Sequence, residues 1–426
     1  MPPPELMAIG DSLYNGFRSL TINANLAAHS VPAQVAQAFG WDFVSPDYPH
    51  TMLLDVEGIF RNPSEVTQDL VKQAAINAHV WLAEQRWSAS PFFHNLSIGQ
   101  QQVADLYTAN YQASLSTVNN LAAQGATLPL AQVPALLQAL NTAFVLNPGR
   151  VANDTRTSIA ILGEQKPKRV LINIGVNDGL WTLLLLANPT NFTTTYNPIP
   201  NMKTLALHLK ELCPDTERFY INLQPKPSSI ANLMPPWLGG GDPPIPRDGY
   251  YDKYIGQLIG SGGITKAQMQ AIDTWINTTL NPQIRDAFSP LGDRARFVDI
   301  YASTAAYDRK NMTATKQVFV HKGATEILLD NAALEVTPWG GMAGWGGGMF
   351  GLDNLHPTIV GYGIIAQAVC DVIAATENLP PRVIDLQACY DADTLLHDLP
   401  PTVALTDFLL QFVGAFISGT SLAATA

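Results

Sequence analysis

Four short apolar runs, two of them closing on turn-forming residues, constrain this chain more than any other feature. Leu6 to Ile9 runs into Gly10-Asp11-Ser12, and Arg169 to Ile174 (RVLINI) runs into Gly175-Val176-Asn177-Asp178. Arg218 to Leu223 (RFYINL) and Arg296 to Ile300 (RFVDI) have the same character. Apolar runs that do not alternate with polar residues read as strands buried on both faces. Helical patterns lie between them. Val31 to Phe39 begins beside a proline and ends before Gly40, and Val133 to Leu146, Asp154 to Leu162 and Thr358 to Ala374 complete the set. Strands alternating with helices predict βαβ units and a parallel sheet covered on both sides.

At 426 residues the chain is longer than such a sheet needs. The surplus lies in long irregular stretches, and we expect one domain over residues 1–380 with insertions near 45–92, 105–150, 182–215, 225–292 and 305–350. Arg382 to Ala426, with one basic and five acidic residues, reads as a C-terminal extension packed on that domain. From Trp87 to Asn147 the only charged residue is Asp105, so helices there pack on both sides or form a low-charge lid. Charged residues are only 14% of the chain, which argues against disorder. The formal charge of -11 repels phosphate backbones and anionic lipid, so no nucleic-acid partner is expected.

No transmembrane segment stands out. The most apolar run, Val403 to Ile417, is short of a span and carries Asp407. Met1 to Glu5 lacks a signal-peptide pattern, a removed leader stays open, and localisation is unreadable. Cys213, Cys370 and Cys389 form no disulfide framework or zinc spacing, although a single bridge remains open. No cofactor or metal is expected, and oligomeric state is not legible.

Four places could carry chemistry. Ser12 follows a strand and precedes a helical stretch, at the carboxyl edge where α/β sheets place ligands. The same position also suits a simple helix cap. Asp353 and His356, in Asp353-Asn354-Leu355-His356-Pro357, could supply a serine nucleophile with its base and the acceptor for that base. They could equally form a surface turn whose Asp353 caps the following helix. Asn177 ends a strand and could donate its amide, or simply make a β-turn. Gly99, in Asn95-Leu96-Ser97-Ile98-Gly99, could bring a backbone N–H close to a substrate. His94 reads as a structural histidine.

Taken in order, these blocks resemble the GDSL, or SGNH, family of serine esterases and lipases. Ser12 stands in GDSL, Gly99 in NLSIG, Asn177 in GVND, and Asp353 with His356 in DNLHPT. The glycine block is the loosest match, and the blocks lie farther apart than in compact members. The resemblance implies a three-layer α/β/α flavodoxin-like sandwich with a central parallel sheet and large insertions. It implies a Ser12-His356-Asp353 triad, an acyl-enzyme, and an oxyanion hole made by Ser12, Gly99 and Asn177. No cofactor belongs to that scheme, and the substrate would be a small-molecule or lipid-like ester. Acyl transfer to an alcohol or sugar, or a non-catalytic lipid- or carbohydrate-binding role, are the competing readings. Directly before Asp353, Pro338 to Gly351 holds seven glycines in fourteen residues, together with Trp345 and Met349. It is either a glycine-rich surface loop or a mobile apolar wall of an acyl pocket built on those two side chains.

Overall fold

The computed structural model describes residues 2–397 apart from 20, 62–69, 186–191, 232–248, 255–263, 311–316, 332–334, 337–341, 345–347 and 354. Its centre is a parallel sheet of β1 (Leu6–Gly10), β2 (Arg169–Asn173), β3 (Arg218–Asn222) and β4 (Ala295–Val298), hydrogen-bonded in that order. Outside β1 a further extended segment runs parallel through a bridge between Ala8 and Asn95. Leu96 N–H donates to Ala8 O and Ile98 N–H to Gly10 O. Counting that segment second in chain order, the sheet reads 2-1-3-4-5, the doubly wound flavodoxin-like arrangement.

Both faces of the sheet are covered, as the absence of polar alternation requires. Leu6 and Ala8 of β1, Leu171 of β2, Tyr220 of β3 and Val298 of β4 face one apolar layer. That layer is closed by α2 (Val31–Phe39) and the long α7 (Ile359–Glu377). Met7, Ile9, Val170, Ile172, Phe219 and Ile221 face the opposite layer, with α3 (Val133–Leu146), α4 (Ser158–Gln165) and α5 (Ile199–Leu212). Residues of α3 are buried nearly all round, which accounts for its lack of charge. The result is a three-layer α/β/α sandwich.

Among the boundaries that differ from the sequence reading, three turn on a polar side chain that caps a helix or holds the turn before it. Asp154 accepts from Arg156 N–H and pairs with its guanidinium, so α4 starts at Ser158, capped by Thr157. Asp299 accepts from Ala302 N–H, ending β4 at Val298 and opening α6 (Ile300–Ala305). Thr358 caps α7 through Gly361 N–H, and the helix runs on to Glu377. By length and apolar composition α7 could cross a membrane, yet twelve of its residues are buried within the protein. Val403 to Ile417 lies outside the described residues. All three cysteines are buried free thiols.

After α7 the chain returns as α8 (Leu386–Ala392) and α9 (Thr394–His397). Cys389, Tyr390, Leu395 and Leu396 are buried there, and Cys389 and Tyr390 share the apolar layer under α7.

Candidate active site

Ser12 owes its position to the sharp exit from β1. Gly10 has φ +155°, and a Cβ there would lie 2.2 Å from Asn173 O on the neighbouring strand. Only glycine lets β1 and β2 approach so closely at their carboxyl ends. Asp11, not Ser12, caps α1 (Ser12–Asn15) by accepting from Leu13 N–H at 3.1 Å. Ser12 is therefore relieved of capping and opens the helix, where unpaired N–H groups gather.

His356 reaches Ser12 from the other end of the chain. Its Nε2 lies 3.0 Å from Ser12 Oγ and its Nδ1 2.8 Å from Asp353 Oδ2. The second Asp353 oxygen accepts from the backbone N–H groups of Leu355 and His356, at 3.1 and 2.9 Å. Asp353 does not cap α7, since Thr358 does. The Asp353 side chain is wholly buried while that of His356 is 12% exposed, so the imidazole can meet a solute and the carboxylate cannot. Burial alone would raise the Asp353 carboxyl. The charge of His356 and the N–H bonds outweigh it and hold the group below its ordinary range. Phe17 packs edge-on against the imidazole, ring centroids 4.7 Å apart.

The other two blocks meet beside this chain of hydrogen bonds. Asn177 Nδ2 donates to Gln101 O at 2.9 Å, and Asp178 Oδ2 accepts from Val103 N–H at 3.1 Å. The turn after β2 is thereby fastened to the stretch just past Gly99. Gly99 itself follows the Ile98–Gly10 bond, at the carboxyl edge of the sheet. A Cβ at Gly99 would meet only ordinary contacts, 3.6 Å from Phe17 and 3.8 Å from Asn141, so packing does not demand a glycine. The left-handed backbone belongs to its neighbour Gln100, at φ 66°.

Buried polar groups that the sequence reading missed support this edge. Asn173 Nδ2 donates to Asp11 Oδ1 at 2.7 Å, and Asn222 Nδ2 to Asn173 Oδ1 at 2.9 Å, a relay across β1, β2 and β3. Burial pushes the Asp11 carboxyl up to about 7 against these bonds and the charge of His356. Asn15 donates to Ser97 O and Tyr48 Oη, and Tyr48 donates to Asn141 Oδ1. His94 is structural, its Nδ1 accepting from Val44 N–H.

An almost wholly apolar slot of about 30 Å³ opens beside Ser12 and His356. It runs along the carboxyl edge of the sheet past Val176, Pro225 and Ile230 toward Ile300, Thr304 and Ile365. Met349 is buried and forms part of its wall, while Trp345 lies outside the described residues. Among those residues no group of three or more His, Cys, Asp or Glu side chains is gathered as a metal would need.

Sequence comparison gives one family. The model described as GDSL-like Lipase/Acylhydrolase matches residues 6–369. No curated protein and no solved structure matches the chain.

Proposed function

The chain belongs to the GDSL-like lipase/acylhydrolase family, and from that premise we propose that it cleaves carboxylic esters with Ser12 as nucleophile, His356 as base and Asp353 as its orienting acceptor. The observation that carries this reading is the unbroken hydrogen-bond chain from Asp353 through His356 to Ser12. In the proposed mechanism Ser12 Oγ attacks the ester carbonyl while His356 Nε2 takes its proton, which then passes to the leaving alcohol. Asp353 keeps the imidazole in the tautomer whose Nε2 is free to accept, and stabilises the cation that forms. Water repeats the sequence on the acyl-enzyme.

The developing oxyanion would be held by the backbone N–H groups of Ser12 and Gly99 and by the second amide N–H of Asn177. Donors fixed at a helix start and a fastened turn need no reorganisation when charge appears. The slot lined by Met349 would take the first carbons of the acyl chain, its apolar wall favouring a hydrocarbon over a charged or hydroxylated group. Residues 1–380 would form the hydrolase domain and 381–426 an extension, of which 398–426 lie outside the described residues.

The test is a series of p-nitrophenyl esters from acetate to long acyl chains, with and without an added alcohol. Each buried methylene contributes about 0.8 kcal/mol, so kcat/KM should climb over the first few added methylenes and level off once a slot of this size is filled. Met349→Ala should lower kcat/KM for the longer esters more than for acetate. Equal losses on both would remove Met349 from the acyl site. A new ester appearing with the alcohol would make the activity acyl transfer.

A further inference from the structure

Beyond the stretch that matches the family, the chain returns to the catalytic turn and grips it from behind. Asp393, between α8 and α9, is wholly buried. Its Oδ1 accepts from Arg18 Nη1 at 2.6 Å and its Oδ2 from Ile359 N–H at 2.7 Å. Leu395 and Leu396 N–H groups also donate to Oδ1, fixing the carboxylate on its own segment. Arg18 is 1% exposed and makes a two-pronged bond to Glu57, at 2.7 and 2.8 Å.

Each of these partners leads directly to the catalytic groups. Arg18 follows Phe17, whose ring packs on His356. Its side chain lies against Gly351, where an added Cβ would approach Arg18 Cγ to 2.8 Å. Gly351 N–H in turn donates to His356 O at 2.8 Å, and Leu352 N–H to Ser19 Oγ at 2.9 Å. Ile359 is the first residue of α7, three beyond His356, and its N–H has no carbonyl partner inside the helix. A carboxylate there satisfies that N–H and also favours the positive end of the helix dipole. Asp393 therefore joins the segment bearing Ser12 and Phe17 to the segment bearing Asp353 and His356.

We propose that Asp393 is a positioning residue for the catalytic histidine, and that the C-terminal segment Leu386–His397 is a working part of the active site. It acts through Arg18 and Ile359, without touching substrate. The inference rests on the reading of Ser12 and His356 as nucleophile and base.

Asp393→Asn separates this role from a merely structural one. Both oxygens of Asp393 face donors, so an amide must turn its NH₂ toward either Arg18 or Ile359 and break one of the two ties. The Arg18–Glu57 pair survives, so the guanidinium keeps a buried counter-charge and the fold has no unpaired cation. The measurement is kcat and KM on a p-nitrophenyl ester, together with the rate at which a fluorophosphonate labels Ser12. Because displacements on the ångström scale cost up to about 10²-fold, kcat and labelling rate should both fall at least roughly tenfold while KM holds. A folded Asp393→Asn with wild-type kcat and labelling, whatever its melting temperature, would overturn the proposal. If that variant does not fold, Asp393→Glu, which keeps the charge with one methylene more, takes its place with the same expected losses. Failure of both to fold would make Asp393 a purely structural anchor and overturn the proposal. No turnover and no labelling in the wild-type protein would instead bring down the esterase reading and this inference with it.

Discussion

Asp353 divides its two oxygens between a side chain and the backbone, and that division sets what its replacement should do. An amide at this position can still accept from the Leu355 and His356 N–H groups through one atom. Its NH₂ would then face His356 Nδ1 and force the ring proton onto Nε2, where it cannot accept from Ser12. Asp353→Asn should therefore fold normally and lose kcat by up to about 10⁴. A purified variant within tenfold of wild type would show that something else orients the imidazole. Asn177→Ala removes one amide from the proposed oxyanion hole, and kcat should fall by roughly 10²–10³ with little change in KM. A rise in KM at constant kcat would make Asn177 a ground-state contact. Ser12 and Asn177 could be picked out because they follow strand ends, and Asp353 with His356 because they stand in one short block before the closing helix; the structure brings Ser12, His356 and Asp353 together. Asn15, Tyr48 and Asn141 were not legible. Their mutual bonds join three segments far apart in the chain, and no local pattern announces such a meeting.

The first turn of α7 carries a heavy packing constraint beside the site. A Cβ at Gly361 would lie 2.2 Å from Met349 O and 2.8 Å from Pro357 Cβ, both on the stretch that leads into and out of the catalytic turn. The same carbonyl accepts from Thr358 N–H at 2.9 Å, so it cannot simply move aside. Gly361→Ala should cost about 1–3 kcal/mol of stability through overpacking and lower kcat as His356 is displaced, read by urea unfolding and ester turnover. Unchanged stability would mean that the 349–357 stretch yields freely to α7. For four of the strands the type was legible, because burial on both faces writes an apolar run; the extended segment at Asn95–Ile98 was not. Element ends were less legible. Asp154 and Asp299 read as part of a helix and a strand, whereas their short side chains bond nearby N–H groups, Asp154 holding the turn before α4 and Asp299 capping α6.

At the scale of the molecule, buried carboxyls give stability an unusual dependence on pH. Burial raises Asp11 and Asp178 from 3.8 to about 7 each. Folded protein then holds their protons more tightly than unfolded chain does, so their contribution is full below about pH 4 and is lost as pH rises toward 7. Asp353 runs the other way, since its lowered carboxyl contributes above its ordinary range and loses that contribution as acid protonates it. Between about pH 5 and 7 the raised pair should dominate, each carboxyl losing up to about 3 kcal/mol over those two units at about 1.36 kcal/mol per unit. Urea unfolding of Asp178→Asn should show a smaller loss of stability across that interval than wild type, and an identical slope would contradict the assignment. The same scale holds what the sequence hid most completely: the return of the C-terminal segment onto Arg18, which depends on residues 375 positions apart. The central claim remains that Ser12 is the nucleophile of an ester hydrolase. It is tested most directly by fluorophosphonate labelling and p-nitrophenyl ester turnover in wild-type and Ser12→Ala protein, both shown to be folded. Labelling at Ser12 and turnover in the wild type, with both abolished in Ser12→Ala, is the predicted result; a folded Ser12→Ala that still turns over ester at the wild-type rate would contradict it.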